Sequence, residues 1–214
     1  MSSRITKWQR WMDVIKSQSY TLGLSRHVFT ETFGIVKGNT SLPPSLFWDQ
    51  LAMWHAHSVA MTIRRQLKSD STSISLTRLL GELKEHGAVL TERWFCSQYE
   101  GSVIANLATN HFAQFTRPGI PHFDTGQASN DLQRLRTCAR KVESYADRIV
   151  AHNDSRPVSE MPTYGDLDSA RDLIHELTAR YMLLLHASAM VQPIPTIDHD
   201  WKAVFAQPWL NQAT

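Results

Sequence analysis

Residues 131–152 read DLQRLRTCARKVESYADRIVAH, and their spacing decides the fold. Leu132, Leu135, Ala139, Val142, Ala146 and Ile149 recur at alternating steps of three and four, which draws one apolar stripe along an α-helix. Such a stripe has to be buried against another helix. The partner lies downstream. Residues 164–191 carry Leu167, Ala170, Ile174, Leu177, Tyr181 and Leu184 with the same alternation, and Asp166 and Asp168 occupy the first turn, where negative charge meets the positive end of the helix macrodipole. The polar connector between them is about a dozen residues long, so the two helices form an antiparallel pair. The expected fold is all-α: a helical bundle with two long antiparallel helices and shorter accessory helices.

Working outward, Ile5, Trp8, Trp11, Met12 and Ile15 predict a first helix over 5–20. Pro43 and Pro44 can start a helix but not continue one, and the run from Ser45 to Lys68 reads as a second helix with Phe47, Leu51, Trp54, Ser58 and Met61 on its apolar face. Arg64, Arg65 and Lys68 close it, either complementing the dipole or contacting phosphate. Leu76, Leu79, Leu80 and Leu83 mark a short third helix ending at Gly87. The stretch from Leu90 to Phe115, with Trp94, Phe95, Val103, Ile104, Leu107 and Phe112 as apolar positions, breaks near Gly101. Residues 116–130 hold two prolines and two glycines and form the main loop, a connector or a lid. The expected organisation is a single helical domain over 1–195 and a proline-broken tail over 196–214, with a short helix near Trp201, that docks on the body or on a partner. Trp8, Trp11, Trp201 and Trp209 lie towards the two ends and favour that docking.

Composition narrows the function. The chain has 214 residues, 42% hydrophobic and 20% charged, which is ordinary globular composition. A net charge of +2 gives no global field for nucleic acid or an anionic membrane, so any basic surface is local. The first residues lack the apolar core of a signal peptide and no run is long enough to span a bilayer, which points to a cytoplasmic protein with no membrane partner. Cys96 and Cys138 are too few for a disulfide scaffold or a thiolate zinc site. His55 and His57, two apart on a helix, point away from each other, so no metal and no cofactor is expected. Nucleophile elbows and glycine-rich phosphate loops are absent.

One face does carry chemistry. Cys138, Lys141, Tyr145, Arg148 and His152 lie beside the apolar stripe of the 131–152 helix. Arg148 and His152, four apart, can both reach a phosphate, with Tyr145 a turn below to stack on a base or hold a proton donor. Histidine moves protons and arginine stabilises charge on a phosphoryl group. The plainer reading is that basic residues near a helix C-terminus complement the dipole.

The phrase SYADRIVAHND at 144–154, with IRRQLKSDSTSISLTRLLGELKEH at 63–86 upstream, resembles the HEPN superfamily of helical nucleic-acid-associated proteins, nearest to its AbiU-like abortive-infection branch. The resemblance implies a dimeric helical bundle of a phage-defence or toxin–antitoxin system. It also implies metal-independent endoribonuclease chemistry from an arginine and a histidine, with two copies meeting across the dimer. His152 matches the signature histidine and Asp147 the polar residue after the arginine. The arginine position itself falls on Ala146, and Arg148 is the nearest substitute, at a spacing shorter than the family's.

An arginine six residues before His152 would sit about 120° from it on an ideal helix, so the family geometry needs a distorted helix or a site composed across two chains. Arg148 and His152 share a face of a regular helix. The expectation is therefore an undistorted helix through Arg148, a buried Ala146, and weak cleavage or none. The first functional reading is an RNA-binding or RNA-cleaving homodimer with Arg148, His152, Asp147 and Tyr145 at the site, Lys141, Arg64 and Arg65 on the nucleic acid, and an antitoxin or other protein as possible partner. The alternative is a non-catalytic helical dimerisation or protein-interaction module.

Overall fold

The computed structural model describes residues 3–152, 154–155, 160–190 and 194–207, so Trp209 lies outside the described residues. Among the described residues seven α-helices follow one another: α1 (Ser3–Gly38), α2 (Leu46–Leu67), α3 (Leu76–His86), α4 (Glu92–Ser97), α5 (Ala108–Ala113), α6 (Thr125–Tyr145) and α7 (Tyr164–His186). An isolated antiparallel bridge between Thr91 and His122 is the only β pairing among the described residues. The chain is an all-α bundle.

Side-chain hydroxyls and carboxylates start the helices. Ser45, Ser75, Thr91, Asp124 and Thr163 each accept a hydrogen bond from a backbone N–H of the turn they precede, and Thr163 with Asp166 closes a full capping box. The α7 helix stops where Ala187 turns left-handed (φ 50°) and donates its N–H to the Leu183 carbonyl.

Cross-helix pairs fix the directions. Ascending α6 from Gln127 and Asp131 through Arg134 to Lys141, the partners descend α7 from Arg180 and Tyr181 through Glu176 to Asp166. The two helices are antiparallel. In the same way α1 runs against α7, with Gln9 bonded to the Leu185 carbonyl at 2.8 Å, Ser19 to His175 at 3.3 Å and Arg26 to Asp168 at 2.7 Å. It also runs against α2, where Gln18 meets Gln66 and Ser25 meets His55. Lys7 and Trp8 both donate to Glu82, which ties α3 to the start of α1. The core between these helices is a single cluster that includes Trp8, Ile15, Ile63, Leu79, Phe95, Leu135, Val142, Ile174 and Leu184, all essentially inaccessible. Inside the α6–α7 seam the Tyr181 hydroxyl donates to the buried Asp131 carboxylate at 3.0 Å, and Arg134 and Arg180 bring positive charge to the same group. Burial and that carboxylate push the Tyr181 hydroxyl well above the usual tyrosine range.

Several expectations are corrected. The first helix does not stop at residue 20 but runs 36 residues to Gly38, the longest element among those described. Beyond Ile15 its buried positions include Ser19, Gly23 and Thr32, so packing continues where the hydrophobic stripe fades. The loop expected over 116–130 is shorter, because Asp124 caps α6 and the helix begins at Thr125. The last long helix ends at His186 instead of 191.

The largest correction concerns α2. Phe47 and Trp54 lie 46% and 54% exposed, together with Leu46 at 72% and Met53 at 40%, while Val59, Ala60, Ile63 and Leu67 face the core. The apolar face expected to be buried points outward along the first half of this helix. Val103, Ile104 and Leu107 are likewise exposed.

The segment after α7 returns to α1. Trp201, at the start of a 3-10 turn over Trp201–Ala206, meets His27 edge-on at 6.0 Å, and Lys202 pairs with Glu31.

Candidate functional site

The α6 helix does not continue regularly through Arg148. After Tyr145 the backbone widens into a π turn over Ala146–Val150, in which the Ala151 N–H reaches the Ala146 carbonyl five residues back at 2.8 Å. This corrects the expected undistorted helix. The physical reason lies in the packing: Ala146 is fully buried, and Val150, not Ile149, packs against the core. Inserting one residue into the turn carries Ile149 outward, to 45% exposure, and brings Val150 in. Ala146 stays in the core, as its place in the stripe predicts.

The turn presents Asp147 to the C-terminal end of α2. Arg64 forms an ion pair with it and the Lys68 ammonium stands 3.9 Å away. Glu143, one turn before Asp147, is half-buried among Arg64, Lys68 and Arg136. Its carboxyl is raised above the usual range, first by burial and then by Asp147, against the opposing pull of those cations. Arg136 and Arg140 are exposed on this flank of α6, as is Arg65 on α2. The corner therefore combines a basic surface with two carboxylates, of which Glu143 is the more weakly solvated.

The other expected site residues divide. Arg148 is half-buried and its carbonyl accepts the Asp154 N–H at 3.1 Å, while His152 is exposed just past the turn. Tyr145 is buried and its ring lies 5.9 Å from that of His57. Lys141 turns towards α7, with its ammonium 3.3 Å from Glu160 and 3.9 Å from Asp166. Cys138 sits on the same flank, its thiol raised by burial. The structure thus unites Arg64 with Asp147 and separates both from Lys141 and Tyr145. Glu143 and the paired role of Lys68 were not singled out from sequence, although the i, i+4 spacing of Glu143 and Asp147 carried the signal.

Among the described residues no group of three or more His, Cys, Asp or Glu side chains is placed to hold a metal ion, and no helix is long and apolar enough to cross a membrane. Comparison with known proteins finds no matching family model, curated protein or solved structure.

Proposed function

We propose that the chain is an HEPN-like, RNA-binding homodimer of a phage-defence or toxin–antitoxin module, acting in the cytoplasm through the 146–152 turn and the basic end of α2. The observation that carries this reading is the π turn at Ala146–Val150. The HEPN resemblance places its signature on these residues, and the spacing of that signature needs either a distorted helix, as found here, or a site composed across two chains. Single-turn π segments within helices are frequent at functional sites because they re-aim side chains that a regular helix would stack.

In this reading Arg65, Lys68 and Arg148 supply fixed positive charge for phosphates, and the exposed imidazole of His152 exchanges protons with ribose or phosphate oxygens. Asp147 holds Arg64 in place. Binding is the principal action and cleavage is weak, because buried Ala146 occupies the arginine position of the signature.

The test is incubation of labelled RNA with wild type and His152→Ala in excess chelator, alongside a light-scattering mass. The reading expects RNA binding, residual metal-independent cleavage that disappears in the variant, and twice the 24.4 kDa chain mass. Absence of RNA binding, or a monomer at micromolar concentration, would count against it. One observation favours the competing reading of a non-catalytic protein-interaction module with an antitoxin or similar partner: the exposed apolar residues of α2, among them Leu46 and Met53.

A further inference from the structure

Along α2, Trp54, Ser58, Met61, Arg65 and Lys68 recur at steps of four, three, four and three, so they form one stripe on the helix. Its upper end is a ring and its lower end is charge. Trp54, 54% exposed, walls a groove of about 310 Å³ between α2 and the second half of α1. Phe29 of α1 and His55, the α2 neighbour of Trp54, also line it, stacked on each other at 3.9 Å with 3° between their planes. Ser25, Thr32 and Ser58 contribute hydroxyls to the lining, and the Ser25 oxygen lies 3.2 Å from Nδ1 of His55. Burial holds the His55 imidazole at about 4, so the ring is neutral at neutral pH. The groove is at the small end of ligand-pocket volumes of roughly 300 to 1,000 Å³. It offers the exposed Trp54 ring, apolar ring edges and hydroxyls that can donate or accept, which suits a planar ring with a polar edge.

We propose that this groove is a base pocket for single-stranded RNA, and that the strand's phosphates follow α2 over Arg65 and Lys68 to the 146–152 turn. The proposal rests on the RNA reading above and names its substrate class. Charge and shape along one stripe select the occupant. A chain carrying both flat rings and regularly spaced anions matches a tryptophan followed by an exposed arginine and a lysine. A base lying on Trp54 has to be unpaired, which excludes duplex. The run from Trp54 to Lys68 is about 21 Å of helix at 1.5 Å per residue, a short platform of about four nucleotides.

Fluorescence anisotropy with a labelled 12-nucleotide oligo(U) RNA, alone and annealed to its complement, tests this. The single strand should bind more tightly than the duplex. Trp54→Ala should weaken it by ~5- to 150-fold, the worth of one stacked base, while Trp54→Phe keeps most of the affinity and Trp54→Leu does not. Arg65→Glu should weaken binding and flatten its salt dependence. Circular dichroism melts of each variant separate lost binding from lost fold. Equal affinity for duplex overturns the proposal, as does oligo(U) binding indifferent to Trp54. Indifference of binding combined with a halved light-scattering mass in Trp54→Ala would show that the groove is a contact between copies of the chain. If His152→Ala abolishes cleavage while Trp54 is irrelevant, the proposed function stands and this inference falls. If oligo(U) binding depends on the Trp54 ring and no cleavage occurs, the reverse holds for the nuclease part of that function.

Discussion

The two ends of α6 each hold a carboxylate beside arginines, and they treat it in opposite ways. At the start, Asp131 is 4% exposed, accepts the Tyr181 hydroxyl and is flanked by Arg134 and Arg180. At the end, Asp147 sits on a π turn at the surface, paired with Arg64, while Glu143 one turn earlier has cations around it and a weakened acidity. The first arrangement is closed, since its charge is neutralised and its acceptors are used by groups that hold α6 to α7. The second leaves Arg65, Arg136 and Arg140 facing solvent. A buried network whose carboxylate is hydrogen-bonded and charge-balanced fixes a structure, whereas an open basic corner on an irregular turn retains capacity for a ligand.

Substitutions can break or sharpen that contrast. The largest effect is expected from Ala146→Arg, which drives a charge into fully packed surroundings at the root of the turn and should cost several kcal/mol, on the order of 3 to 5. Thermal melting combined with the RNA cleavage assay checks it, and a stable variant with new activity would overturn the placement of this side chain in the core. Next, Asp131→Ala strands the buried Tyr181 hydroxyl, while Arg134 keeps Glu176 and Arg180 keeps Gln127, and should destabilise by up to about 3 kcal/mol. The melting temperature should fall by far more than for any change at Asp147.

How much of this was legible in the sequence differs by element. The α6–α7 seam was, because its apolar steps are unbroken and one face is buried throughout. The α2 helix was found, but its orientation was not, since periodicity reports that a stripe exists and not which way it faces. Phe47, Leu51 and Trp54 draw a stripe from the start of the helix, whereas the inward set of Val59, Ala60, Ile63 and Leu67 begins only halfway along it. The π turn was hidden by Ile149 and Val150, two apolar neighbours that continue the stripe in either register. Two of the three cations around Glu143, Arg64 and Lys68, come from the end of α2, far away in sequence, which hides its setting from a local reading.

Acid should report on the α1 interfaces. His55, lowered to about 4, and His175, also lowered, owe their shifts first to burial. The unfolded chain takes up these protons near pH 6.5 and the folded chain only further down, so stability is full above about 6.5 and is lost as pH falls towards 4. For His55 the gap corresponds to at most about 3 kcal/mol, nearer 1 to 2 after screening at a half-exposed ring. Denaturation midpoints measured from pH 7 to 4 should decline over that window, and His55→Phe should flatten the slope.

The smallest stability effect is expected from Asp147→Asn. Its side chain is 38% exposed, and an ion pair at such a site contributes no more than about 1 kcal/mol. Chemical denaturation should show almost no change, while RNA affinity moves because Arg64 is released. A large loss of stability would make the corner a structural element like the Asp131 network.

The longest helix also sets the order in which the protein can be completed. The α1 helix draws its partners from the far end of the chain: the Leu185 carbonyl lies 176 residues from Gln9 and Lys202 lies 171 from Glu31. During synthesis α1 emerges well before α7 and the 3-10 turn that cover it, so Trp8, Met12, Ile15 and Leu22 wait without their final neighbours. Its early exposure makes α1 the natural client for a holding chaperone, and its docking a late event in folding, delayed by the loop closure that such distant contacts require.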